Sequence, residues 1–245
     1  MTDADHPILV QLKTVRLERE RRAQSAQWLA KVQAVKSYQQ RRFALTYADF
    51  LATERYGPAA RFFLDELYGP NDFTQRDAQL ARVVPALVRM FPAEIVRTVE
   101  ALTSLHALSE TLDTEMGTHV LSDAGAVLDE QTYVAAWQST GHPAGRERQI
   151  ALMLSVGGSL DRLTRKPLVR ASLGVMRGPA RAAGLGELQR LLETGFDTFR
   201  AMKGAQHFLA TIGMRERALC ADLFSWRAGD ASPEPLPQAS DSAPL

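Results

Sequence analysis

The sequence predicts an all-α fold, and three observations carry that expectation. Period-two alternation of apolar and polar residues is never sustained, and β-branched residues are scattered. Ala, Leu, Arg, Glu and Gln, all good helix formers, dominate between the breakers. Glycine and proline cut the chain into pieces of ordinary helical length. With 245 residues, 45% of them apolar, the chain can bury a substantial core, and one helical domain with tails is expected.

After Pro7 no glycine or proline occurs until past Arg42, which permits one long N-terminal helix or two in tandem. Its stripe opens on Ile8, Leu12 and Val15 and continues as Arg19 and Arg22 before Ala26 and Leu29 resume it. Residues 1–45 therefore pack across the domain or project from it. A projecting helix would serve as a homodimerisation element. Tyr47, Phe50, Leu51 and Tyr56 lead to a Gly57-Pro58 break, and Pro58 suits the first turn of a short helix whose Phe62, Phe63, Leu67 and Tyr68 cover more than one face. Gly69-Pro70 stops it.

Thr74 with Asp77 three residues later resembles a capping box, opening a helix to about Met90 with Pro85 inside it. Pro92 opens the next, about Ala93 to Thr118. A helix with Tyr133 and Trp137 ends at Thr140-Gly141-His142-Pro143, and another spans Glu147 to Val156. Residues 157–186 hold six glycines and two prolines among short segments and are expected to be fragmented, the most mobile or ligand-shaped part of the chain. An amphipathic pattern resumes from Leu188 through Phe208, and a last helix holds Leu219, Phe224 and Trp226. The Pro- and Ser-rich residues 229–245 lack the apolar content to fold and read as a disordered tail, leaving 46–228 as the bundle domain.

The 29 basic and 28 acidic residues leave a net charge of +1, so no global field favours nucleic acid or an anionic membrane. Charge is blocked nonetheless. Residues 1–45 carry nine Lys/Arg against four Asp/Glu, residues 71–130 four against ten, and residues 146–177 seven against two. The last block includes Arg146, Arg162, Arg165 and Arg170 without interleaved stacking aromatics, which disfavours nucleic acid. Cys220 is the only cysteine, so a disulfide, a thiolate zinc site and a CxxC pair are all excluded within the chain. With no signal-peptide pattern and no apolar run of about 20 residues, a cytoplasmic protein that does not cross a membrane is expected.

No catalytic set emerges. His106, Glu110 and Asp113 share one helix face and could bind a divalent metal. The apolar stripe Leu105, Leu108, Leu112 and Met116 is centred about 110° away, so the triplet is expected to face a boundary or solvent. No Glu-x-x-His occurs for a carboxylate-bridged bundle site. A haem would need an inward histidine, with His106, His119, His142 and His207 as options and His207 the one placed on an apolar helix. Gly157-Gly158-Ser159 could cradle a phosphate but has no Walker or dinucleotide fingerprint, and Cys220 reads as an inert core filler. The candidate interaction surface is Tyr68, Asp72, Phe73, Arg76 and Asp77, where a Gly-Pro turn meets an aromatic helix end, although Arg76 and Asp77 also fit a cap and an ion pair.

The run from Phe62 to Asp77, FFLDELYGPNDFTQRD, with Leu105-His106-Ala107-Leu108-Ser109-Glu110 later, resembles an uncharacterised all-α family from proteobacteria, over about Arg41 to Glu216. The resemblance implies a helical bacterial protein and brings no activity, ligand or catalytic residue with it. The expectation is a non-catalytic binding or regulatory module without a cofactor, whose partner is a protein or a small ligand; the alternative is a metal- or haem-binding bundle acting as sensor or redox enzyme.

Overall fold

The computed structural model describes residues 6–67, 69–121, 127–227, 230 and 236–237. The described residues form helices and no strand. Helix α1 spans Pro7–Ala23, with His6 as its cap accepting from Ile8 N at 3.3 Å. The chain breaks at Gln24 and restarts at Ser25, whose hydroxyl accepts from Trp28 N at 3.2 Å, so α2 runs Ala26–Thr46. Two tandem helices are thus the outcome, with α1 laid across α6 and against α5.

Short helices α3 (Ala48–Leu51) and α4 (Gly57–Phe62) follow, and α4 passes directly into a π-helical turn, Phe63–Leu67. Gly69 closes this region at φ +129, where a Cβ would stand 2.8 Å from Gln40 Nε2. That amide donates to Leu64 O at 2.9 Å and ties the turn to α2, so the position requires glycine. Helix α5 spans Thr74–Met90. The expected capping box is not what starts it: Asp72 Oδ1 accepts from Thr74 N at 2.9 Å, and Asp77 turns inward.

Helix α6, Ala93–His119, is the axis of the molecule and packs against α1, α2, α7 and α8. Helices α7 (Glu130–Thr140) and α8 (Pro143–Thr164) join through Gly141 and His142, both at positive φ. Helix α9 is Pro167–Ala182, α10 Gly186–Ala201 and α11 Gln206–Ser225. Helices α10 and α11 pack on α8, and α9 lies mainly on α10.

The fragmentation expected over residues 157–186 does not occur. Gly157 and Gly158 lie inside α8, and a Cβ at Gly157 would meet Leu209 Cδ2 at 2.5 Å. Reciprocally, a Cβ on Gly213 of α11 would meet Leu154 of α8 at 2.9 Å. These glycines mark a close helix crossing, where contact offsets the roughly 1 kcal/mol that glycine costs a helix. The same geometry removes the phosphate-cradle expectation for Gly157-Gly158-Ser159, since mid-helix amides are engaged in the helix ladder.

The core has three apolar clusters. The aromatic one joins Phe43, Tyr47, Phe50, Phe63, Phe199 and Phe208; a second joins Tyr38, Met116, Tyr133, Trp137 and Leu223; a smaller one joins Ile8, Leu12 and Val84. Each fully buried large side chain stabilises by roughly 1.5–3 kcal/mol. Within the stretch read as a tail, Leu236 sits in the second cluster and Pro237 O accepts from the Tyr38 hydroxyl at 3.3 Å. The rest of that stretch lies outside the described residues apart from Asp230. Among the described residues no helix is long and apolar enough to cross a membrane.

Candidate functional site

Because α6 is covered by helices on several sides, the polar side chains of its middle turns are shielded from solvent. Glu110 is 3% exposed and Asp113 1%, so the triplet expected to face solvent points inward. Glu110 accepts from Arg22 Nη1 and from Lys36 Nζ, each at 2.5 Å. Burial alone would raise the Glu110 pKa, but Lys36 and Arg22 outweigh it and hold the carboxyl down to about 2. Arg22 also reaches the Thr114 hydroxyl at 3.3 Å. Arg22, one of the two arginines that interrupt the α1 stripe, is thus a counter-ion of the acid on α6.

One turn earlier, His106 Nε2 lies 2.9 Å from Asp77 Oδ2, and Arg19 bridges to the same carboxylate at 2.8 Å. Burial would raise Asp77, yet the hydrogen bond to His106 and the neighbouring positive charges lower it. Arg76 lies 3.9 Å over the Phe73 ring and donates to Glu66 O at 2.5 Å. Phe73, Arg76 and Asp77, three of the residues expected to form an outer surface, are therefore built into the seam between α1, α5 and α6. Asp72 is exposed, and Tyr68 lies outside the described residues.

Behind α6 runs a chamber of about 200 Å³, extending along the helix between Val99 and Asp113. Near Val99 and Leu102 its wall is apolar, with Met153 and Val156 from α8 and Leu188 and Leu191 from α10. Phe63 and Leu64 of the π turn also face it. Toward Asp113 the lining becomes polar: Lys36 and Gln39 from α2, Glu110 and Asp113 from α6, Trp137 from α7 and Arg146 from α8. The volume exceeds the roughly 10–15 Å³ that one water needs and falls below the ~300 Å³ where sites for drug-sized ligands begin.

At the polar end four buried atoms have no hydrogen-bond partner among the described residues: Asp113 Oδ1, Gln39 Oε1, Trp137 Nε1 and Arg146 Nε. Their residues are all deeply buried. Arg146 lies face-on over the Trp137 ring at 3.9 Å, donates to Gln149 Oε1 at 3.4 Å, and otherwise touches Met116 Sδ at 3.9 Å. Gln149 is itself fixed on Ser109 at 2.7 Å. Burial raises the Asp113 pKa against the lowering pull of Lys36 and Arg146. Nearby, Arg42 and Tyr47 both donate to Glu216, at 2.5 and 2.8 Å. Burial also raises the Cys220 thiol, which lines the same wall.

His207, weighed as an inward ligand, is exposed and packs against the Phe50 and Tyr56 rings, outside the chamber. His142 is exposed and pairs with Glu115. Among the described residues no group of three His, Cys, Asp or Glu could hold a metal ion, since Glu110 has two cations for neighbours and His106 is tied to Asp77. Sequence reasoning missed Arg22, Lys36, Gln39, Trp137 and Arg146 as site residues. The available signal was register: Lys36 and Gln39 recur with Val32, Val35 and Phe43 on the buried face of α2.

Fold and site together define a helical protein with a chamber that is apolar near Val99 and Leu102 and carries charged groups from Asp77 and His106 to Arg146. The chain belongs to the family described as a domain of unknown function (DUF8198), matched over residues 18–230. No curated protein and no solved structure matches it.

Proposed function

We propose that this protein is a non-catalytic binding module whose interior chamber takes a small organic ligand. One observation carries the reading: four deeply buried polar atoms without a partner among the described residues belong to side chains that line one chamber. Each such atom costs about 1–3 kcal/mol when left unpaired, and folded proteins keep few of them. A ligand with matching donors and acceptors would satisfy them together.

Among the described residues, the groups nearest to a nucleophile or base are already engaged, which supports binding over turnover. His106 is held between Asp77 and Arg19, Glu110 is neutralised by two cations, and burial disfavours the Cys220 thiolate. The same commitments give a metal or haem little purchase at His106, Glu110 and Asp113. A cytoplasmic setting accords with the single cysteine.

The test is native mass spectrometry of the purified protein, followed by thermal-shift screening with small organic acids, amides, amines and alcohols. Retained or added small molecules that raise Tm in the wild type, and fail to do so in the chamber-filling variant Leu102→Trp, are expected. Ligand responses that persist in a folded Leu102→Trp variant would place binding elsewhere and refute the proposal.

A further inference from the structure

The polar end of the chamber carries more positive than negative charge. Arg22 and Lys36 share Glu110, and Arg42 is paired with Glu216. Arg146 has no carboxylate in ion-pair contact among the described residues although it is only 3% exposed. A buried guanidinium without a counter-ion is rare, because removing the charge from water is costly unless something compensates. Here the Trp137 ring compensates one face of the guanidinium plane, while the weak acceptor Met116 Sδ and the long contact to Gln149 leave most of its edge unsatisfied. The edge is where a guanidinium carries its N–H donors, in a fork that matches a carboxylate.

From this geometry we infer that the ligand is a monocarboxylic acid with a slender apolar body, its carboxylate seated against Arg146 and the indole N–H of Trp137 and its body lying along Leu102, Met153 and Leu191. The donors left unpaired, Arg146 Nε and Trp137 Nε1, are those an anion needs. The apolar wall from Val99 to Val156 suits hydrocarbon and offers few polar groups. Burial raises the Asp113 carboxyl, which lessens its repulsion of an acid. Arg146 is the one cation there without a carboxylate in contact among the described residues, and a monoanion would supply it. This inference rests on the proposed chamber binding and narrows it to one ligand class.

Titration calorimetry with butanoate, hexanoate and octanoate tests it, set against hexanamide, hexanol, hexylamine and hexyl phosphate on the wild-type full chain. An acid is expected to bind at least about tenfold more tightly than its amide, and Arg146→Met to weaken it about 10- to 100-fold, the loss of a charge-assisted hydrogen bond. Arg146→Lys is expected to recover binding only in part, since the charge returns without the fork. Should Arg146→Met fail to fold, Trp137→Phe keeps the ring beneath the guanidinium and removes one donor, with a smaller loss expected for acids alone. Equal binding of amide, alcohol and acid would overturn the carboxylate assignment while leaving the chamber as a binding site. Preference for the phosphate ester or the amine overturns it likewise. If no acid in the series binds, the inference is wrong; if Leu102→Trp also leaves every small-molecule response of the protein unchanged, the chamber proposal falls with it.

Discussion

Replacing Glu110 by alanine removes the one carboxylate that two buried cations share. Arg22 and Lys36 are each within 2.5 Å of it, and both side chains are about as buried as the acid itself. Truncation leaves two buried positive charges without an ion-pair partner among the described residues, and breaking a buried ion pair in this way costs about 3–5 kcal/mol. A second route gives a similar size. The carboxyl lies near 2 in the fold against an ordinary value of 4.5, a difference equivalent to about 3 kcal/mol of stability at neutral pH. Because the folded value is depressed, this contribution is complete above pH 4.5 and is lost as pH falls toward 2. For a chain of this length the expected drop in Tm is about 6–20 °C at pH 7, measured by calorimetry, narrowing steadily in acid. The triple change Arg22→Met, Lys36→Met, Glu110→Leu should recover stability or exceed the wild type, since apolar packing commonly matches a buried triad. A Glu110→Ala protein within about 1 kcal/mol of wild type at pH 7 would mean that water reaches the triad, and the enclosed interior described here would be wrong.

Two further substitutions probe the same helix. Asp113→Asn should raise stability at neutral pH by about 1–3 kcal/mol, because burial lifts the folded pKa and the penalty for ionisation applies only above the unfolded value of 3.8. Urea midpoints should therefore separate the two proteins at pH 7 and converge below pH 3.8; a wild type more stable than the variant at pH 7 would show that Asp113 is compensated in the fold. Gly117→Ala should destabilise, despite roughly 1 kcal/mol of gained helix propensity, because the new Cβ would lie 2.4 Å from Val32 Cγ2 and 3.3 Å from the Trp28 indole nitrogen. Valine is stiff about χ1, so overpacking of about 1–3 kcal/mol should dominate the urea midpoint, and a stabilised variant would show that α2 and α6 can separate freely.

The helices were legible because their signals are local. Pro58 and Pro143 stand in first turns, Pro92 caps the start of α6, and Gly141 follows the last turn of α7, as elementary backbone preferences allow. The site was not, because it depends on which faces of α6 are covered. Leu105, Leu108, Leu112 and Met116 form a stripe that suggests a single buried face, whereas Thr103, Ala107, Ser109 and Gly117 allow neighbours to approach on the others. Small side chains at a helix crossing leave no trace in an apolar period. Arg19, Arg22 and Lys36 did: each falls in the buried register of its own helix, and a cation there calls for an inward acid elsewhere. The misreading of residues 157–186 has the opposite origin, since Gly157 breaks a helix by local preference and serves one through its contact with Leu209.

The π turn at Phe63–Leu67 gives this interior a dependence on residue number that composition does not reveal. The i→i+5 hydrogen bonding of a π turn takes in one residue more than an α turn, and the surplus sets the direction in which Phe63 and Leu64 leave the backbone. Deleting one residue from the turn would let the ladder relax to ordinary α spacing and swing the preceding aromatic pair by roughly 100° relative to the Gly69 anchor. Chains of this family that differ in length at this place would accordingly shape their interiors differently, even with every hydrophobic side chain retained.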